Sequence, residues 1–257
     1  MHPRASSSVW LLVASLALGA CSAPGARVHA GYMQTELSGT LGLSPSAPGS
    51  GVTSTIDVDD SLGLADPSGS IHARGELDAG LVRVSASGFR FSESGSGRLT
   101  GSFGDIVAGT DVASSLDLLN LKTALTFDVV DTGVVRISPG IAIDLFAVDA
   151  QVTEAVTSIS ERIDEVLPVP MLFAQGEVDL GVVSGTLDLG FLDVDLGDIG
   201  GTYFDLEAMV SVEPFEAVEF YAGYRYISLD ADGTSDGQEM IADLLLRGWF
   251  IGGGVHF

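Results

Sequence analysis

The stretch Val135-Arg136-Ile137-Ser138-Pro139-Gly140-Ile141-Ala142-Ile143-Asp144-Leu145 decides the reading of this chain. Its odd positions are Val, Ile, Pro, Ile, Ile and Leu, and its even positions are Arg, Ser, Gly, Ala and Asp. Successive side chains of a strand point to opposite faces, so this is one apolar face backed by one polar face. An amphipathic helix would need its apolar residues three and four apart.

The same alternation spreads in both directions. In 116–130, Leu119, Leu121, Leu125, Phe127 and Val129 oppose Asn120, Lys122, Thr126 and Asp128. In 202–213, Phe204, Leu206, Ala208, Val210 and Val212 oppose Asp205, Glu207 and Ser211. In 216–230, Val218, Phe220, Ala222, Tyr224 and Tyr226 oppose Glu219, Tyr221 and Arg225. The pattern predicts about ten strands, near 28–43, 70–80, 81–97, 112–130, 134–150, 169–181, 182–195, 202–213, 216–230 and 241–257. Phe89 and Phe91 fall on the polar parity of the third, which suggests a bulge there. Short connections at Ala79-Gly80, Asp131-Thr132-Gly133, Leu180-Gly181 and Glu213-Pro214 alternate with long ones at 44–69, 98–111, 151–168, 196–201 and 231–240. Such alternation puts every long loop at one end of an up-and-down antiparallel barrel, with short periplasmic turns and long extracellular loops. Within 151–168, residues 155–167 are expected to form a short helical turn.

Composition narrows the class. The chain is 46% hydrophobic, carries a net charge of −24 and has a single lysine, Lys122. So acidic a balance excludes nucleic acid as a partner, because phosphates need Lys and Arg. One Cys excludes an intrachain disulfide. Residues 1–20 read as a signal peptide with an apolar run from Val9 to Ala20. Leu18-Gly19-Ala20-Cys21 resembles a bacterial lipobox, which implies lipidation of Cys21, and Ser22 after it resembles lipoproteins sent to the outer membrane. The alternative is an ordinary signal peptide cleaved after Val28-His29-Ala30. On the first reading 21–27 is a linker and 28–257 the barrel. No later stretch reaches the roughly 18 unbroken apolar residues of a membrane helix, so a spanning mature chain must span with strands.

Alternation alone does not say which face is outside. A soluble lipocalin-like carrier, with the apolar face lining a ligand cavity, is the rival reading. The end of the chain favours the membrane. Trp249, Ile251, Val255 and the terminal Phe257 resemble the C-terminal signal of outer-membrane barrels, with Gly253 a departure. Tyr203, Phe204, Tyr224, Tyr226, Trp249 and Phe257 lie near strand ends, as in an aromatic girdle. The chain thus resembles the small outer-membrane β-barrels of the outer-membrane-protein-A-like and porin-like superfamily. That resemblance implies location in the cell outer membrane, with lipid and the barrel assembly machinery as partners. It is nearly silent on activity.

The apolar-out arrangement gives a lumen charge network of Glu36, Arg74, Glu76, Arg83, Lys122, Asp128, Arg136, Asp144, Glu177, Asp205, Glu207, Glu219 and Arg225, with His72, Asp78, Asp179 and Asp188 beside it. Such a network either seals a narrow lumen or lines a thin cation-preferring channel. Catalysis is not expected: no nucleophile stands beside a His, and His72 is placed near the outer rim with Asp66 and Arg74 close in sequence. No phosphate loop, zinc pattern or dinucleotide fingerprint is present. The one expected ion is weakly held Ca²⁺, at Asp230, Asp232 and Asp236 of the loop Asp230–Gly237. The expected role is structural, surface-interacting or weakly porin-like, and not enzymatic.

Overall fold

A computed structural model describes residues 25–47, 51–195, 200–215, 217–235 and 237–257, with the side chain of Ser235 excepted. The signal peptide and Cys21 lie outside the described residues, as does Asp236. The fold is one antiparallel 12-stranded sheet closed on itself, since the first and last strands pair. Its strands are β1 (Gly25–Leu43), β2 (Ile56–Asp57), β3 (Ser68–Asp78), β4 (Val82–Arg98), β5 (Asp111–Phe127), β6 (Val130–Asp131), β7 (Val135–Glu154), β8 (Ser160–Asp179), β9 (Val183–Asp195), β10 (Gly200–Phe215), β11 (Val218–Ser235) and β12 (Gln238–His256). β2 and β6 are two-residue additions to the edges of β1 and β7. The other ten form the wall, each hydrogen-bonded to the next in sequence. The ring closes over a long register, from Arg27↔His256 to Leu43↔Met240.

Three of the four expected short connections are tight turns; Glu213 and Pro214 instead lie within β10, which runs on to Phe215. Gly80, Gly133 and Gly181 have φ near +80 to +90°, and each donates its N–H to an Asp side chain two residues back: Asp78 (2.8 Å), Asp131 (2.9 Å) and Asp179 (2.7 Å). The Gly133 N–H and the nearby Arg136 guanidinium hold the Asp131 carboxyl below the usual range. At the other end two expectations are corrected. Residues 151–168 are largely strand: β7 runs to Glu154, β8 starts at Ser160, and the expected helical turn shrinks to a single turn between them, closed by the Ser158 N–H on the Glu154 carbonyl (3.2 Å). β11 runs on to Ser235, so Asp230 and Asp232 lie on a strand, not in a loop. The two long loops among the described residues are the segments β1–β3 and β4–β5.

Membrane lipid and water impose opposite patterns on one strand, and the wall obeys both. On the lower part of β7, Ile137, Ile141, Ile143 and Leu145 point out and are exposed, while Ser138 and Asp144 point in and are fully buried. Further up the parity is unchanged but its chemistry reverses: Asp149 and Gln151 point out, Phe146 and Val152 in. β5 repeats this, with Leu121 out and Lys122 in below, then Ser115 out and Leu116 in above. An exposed apolar band can be stable only in lipid. Above it the barrel is built like a water-soluble one, apolar within.

This reversal accounts for three corrections. Glu36 is not a lumen residue. It sits on the outer face, half exposed, and pairs with Arg247 at 3.2 Å, because Met33, Leu37 and Leu41 take the inward parity of β1. Phe89 and Phe91 need no bulge: the β4–β5 register is unbroken, and both rings point into the apolar upper interior. Tyr203 is no girdle residue, being 1% exposed with its hydroxyl on Asp144. The girdle on the outer face includes Tyr32, 5.8 Å from Trp249, and Phe204, 6.1 Å from Tyr226. With charges inside and the apolar face outside, the carrier reading fails.

Candidate functional site

Alternate residues of ten converging strands bring the expected lumen charges together in layers. At the periplasmic end Glu177 accepts hydrogen bonds from Arg27 (3.1 Å), Arg83 (3.0 Å) and Arg136 (3.2 Å). Arg83 also meets Glu76 at 3.2 Å and Asp78 at 3.1 Å, and Arg136 meets Asp128 at 3.3 Å. Above them Arg74 sits between Asp188 (2.6 Å) and Glu207 (2.8 Å). Lys122 donates to Asp205 at 2.7 Å, and Arg225 reaches Asp205 (3.1 Å), Asp144 (3.3 Å) and Glu207 (3.7 Å). The Arg225 guanidinium lies over the face of the Phe89 ring, 5.2 Å from its centroid, a cation–π contact. Glu219, also an expected lumen residue, pairs with His29. Arg27 is the functional cation the sequence reading missed; it lies at the strand start, where the expected boundary of 28 cut it off.

A charge removed from water is tolerable only when paired and hydrogen-bonded. Here each described cation of the middle layer touches at least two carboxylates. His72 is not at the outer rim. It is fully buried among these charges, stacked on Phe250 at 4.3 Å and 6.3 Å from Tyr221, and neither ring nitrogen has a hydrogen-bond partner among the described residues.

Over the charged layers lies an apolar cap. Ile56, Val58, Leu62 and Leu64 from the β1–β3 loop and Leu99, Phe103 and Ile106 from the β4–β5 loop are each at most 2% exposed. They pack on Leu37, Leu41, Leu116, Val152 and Ile163 of the wall. Both loops are pinned: in the β1–β3 loop the Val58 N–H donates to the Gly39 carbonyl (2.9 Å), and in the β4–β5 loop the Gly104 N–H donates to the Leu43 carbonyl (3.0 Å) and the Asp105 N–H to Glu161 (2.7 Å). In the first loop, burial and the neighbouring Asp57 and Asp60 push the Asp59 carboxyl up. A cavity among Leu41, Leu62, Phe103, Leu116 and Val152 has a volume of about 20 Å³, room for about one water. Phe103→Ala should therefore loosen the cap by about 3–5 kcal/mol. Limited proteolysis should then cut the two loops first, with the barrel remaining folded; unchanged resistance would mean that the loops are held by something other than this core.

Asp230 and Asp232 are exposed on the outer wall, and among the described residues no group of three or more His, Cys, Asp or Glu is placed to hold a metal. Trp249, Ile251, Val255 and Phe257 all face outward, 42–76% exposed.

No protein-family model matches the chain, and no curated protein sequence matches it. Solved structures do. The outer-membrane protease OmpT of Escherichia coli superposes with a TM-score of 0.58 at 8% identity, over 91% of this chain and 96% of that one. The attachment invasion locus protein Ail of Yersinia pestis, at 10% identity over 92% and 100%, gives 0.41. The toluene transporter TodX of Pseudomonas putida, at 8% identity over 94% and 92%, gives 0.33. At such identities the likeness is one of architecture: the chain has the fold of the bacterial outer-membrane β-barrels, and its apolar band places it in the outer membrane.

Proposed function

We propose that this protein is a closed, non-enzymatic outer-membrane barrel whose role is structural or surface-interacting. The observation that carries this is the filled interior, with paired charges below and an apolar cap above. A cation-preferring lumen would need a continuous wet path past Leu41, Phe103 and Leu116. Non-enzymatic use is supported by the histidines: among the described residues His29 and His72 are in the lumen, and His256 is at the periplasmic end. Outside, above the apolar band, Asp117, Asp149, Asp164, Asp193, Asp230, Asp232 and Asp243 give the projecting wall a strongly acidic face. That face suits cationic partners or divalent-bridged contacts better than anionic ones. Single-channel recording in planar bilayers tests the reading: the intact protein should show no conductance steps. Steady cation-selective steps would replace it with the weak-porin role.

The lipid anchor belongs to the same proposal. Val28, His29 and Ala30 are paired to both β12 and β3, so cleavage after Ala30 would strip a doubly hydrogen-bonded piece from β1. Cleavage before Cys21 leaves the strand whole. Labelled palmitate should be incorporated, and Cys21→Ala should abolish the label while the barrel still inserts. An unlabelled wild type would remove the anchor. The outward row Trp249, Ile251, Val255 and Phe257 is proposed as the segment that the barrel assembly machinery engages.

A further inference from the structure

The β3–β4 ladder stops early. It runs from Asp78↔Arg83 up to Ala73↔Gly88, although β3 stays paired to β1 as far as Ser68↔Thr35, and β4 to β5 as far as Arg98↔Asp111. Above Ala73 the two strands part. One link rejoins them: the Ser68 hydroxyl donates to the Ser92 carbonyl (2.8 Å) and accepts the Ser92 N–H (3.3 Å). Between ladder and link is a window in the wall, an open cleft of about 420 Å³ lined by Ser68, Gly69, Ser70, Ile71, Arg90 and Ser92.

Four observations define what fits it. Ile71 is in register with Tyr32, which lies 5.8 Å from Trp249, so the window opens at the aromatic level where hydrocarbon gives way to headgroups. The facing edges of β3 and β4 above Ala73 are not paired to each other, so backbone groups border the cleft. Arg90 is exposed, but Asp117 fixes it through Nε (2.8 Å) and Nη2, so the guanidinium is oriented and its charge matched. Gly69 is bare because a side chain there would run into the hydroxyl end of the Tyr32 ring at the cleft.

A hydrocarbon chain in this window would leave the Arg90–Asp117 pair and the parted strand edges without polar partners from the ligand. A bare anion would meet a charge-matched pair, in a chain of net charge −24. Neutral hydroxyl groups suit all four features: they donate to Asp117, accept from Arg90, pair with the parted strand edges, and can hydrogen-bond the Tyr32 hydroxyl. We propose that the β3–β4 window is a docking site for the sugar headgroup of an outer-leaflet glycolipid.

Trp249 reports on the window through Tyr32, and the only other Trp is Trp10. The full chain carrying Trp10→Phe is therefore reconstituted into phosphatidylcholine vesicles. Each set contains a minor fraction of one brominated-chain lipid: galactosyl diglyceride, phosphatidylglycerol or phosphatidylcholine. Trp249 should be quenched several-fold more by the galactosyl lipid than by the other two. Arg90→Ala and Gly69→Val should each remove that preference, and Arg90→Ala, at an exposed site, tests this even if Gly69→Val does not fold. Equal quenching by all three lipids would overturn the site. Stronger quenching by phosphatidylglycerol would make it an anion site and overturn the sugar assignment. A preference that survives Arg90→Ala would show that the sugar binds elsewhere.

Discussion

Arg225→Met should lower the unfolding free energy of the barrel by about 3–5 kcal/mol, the usual loss when one partner of a buried ion pair is removed. The guanidinium is 1% exposed and meets Asp144, Asp205 and Glu207. Asp205→Asn should cost clearly less, although Asp205 is just as buried. The reason is the charge balance of the layer, in which Arg74, Lys122 and Arg225 face Asp144, Asp188, Asp205 and Glu207. Neutralising one carboxylate leaves three charges of each sign, whereas removing a cation leaves two against four. Like charges crowded in a low dielectric repel strongly, and nothing nearby can solvate them. Equilibrium urea titration of the protein refolded into lipid vesicles measures both variants. Equal losses would mean that the layer is wet and its charges screened, contrary to the closed-lumen reading.

The second large effect belongs to the outer face. Ile143→Arg or Val210→Arg should cost about 2–4 kcal/mol of insertion stability, the penalty for a guanidinium on the lipid face near the midplane. Both sites are at least half exposed on the apolar band. Ser115→Arg, on the outer face of β5 above the band, should change stability by no more than about 0.5 kcal/mol, because water is there to solvate it. Arg at Ser138 or Ser211 is not a milder control, because it finds no free space in the lumen. Ser138 is fully buried with its hydroxyl on Asp128, and Ser211 is 2% exposed, so Arg there must overpack the interior. The informative contrast is therefore Ile143 against Ser115. Equal tolerance at the two would mean that the band does not face lipid.

The ten wall strands were legible because period-two alternation is local. Each strand carries its own two faces whatever its neighbours do, as Val135–Leu145 shows without any partner. The short turns were legible for the same reason, since Asp-x-Gly chemistry closes on itself at Asp78–Gly80, Asp131–Gly133 and Asp179–Gly181. Most of the lumen network followed directly from parity. What parity cannot carry is height. Glu36, Phe89 and Tyr203 were misplaced because a face that is polar in lipid becomes apolar in water, and only the closed register shows where along each strand that exchange falls. The cap is equally non-local: Leu62 and Phe103 belong to loops with no periodicity, and their burial exists only because the barrel encloses them. The window between β3 and β4 lies furthest from the sequence. It depends on where one ladder stops while its neighbours continue, and that is set by the twist and closure of the whole ring.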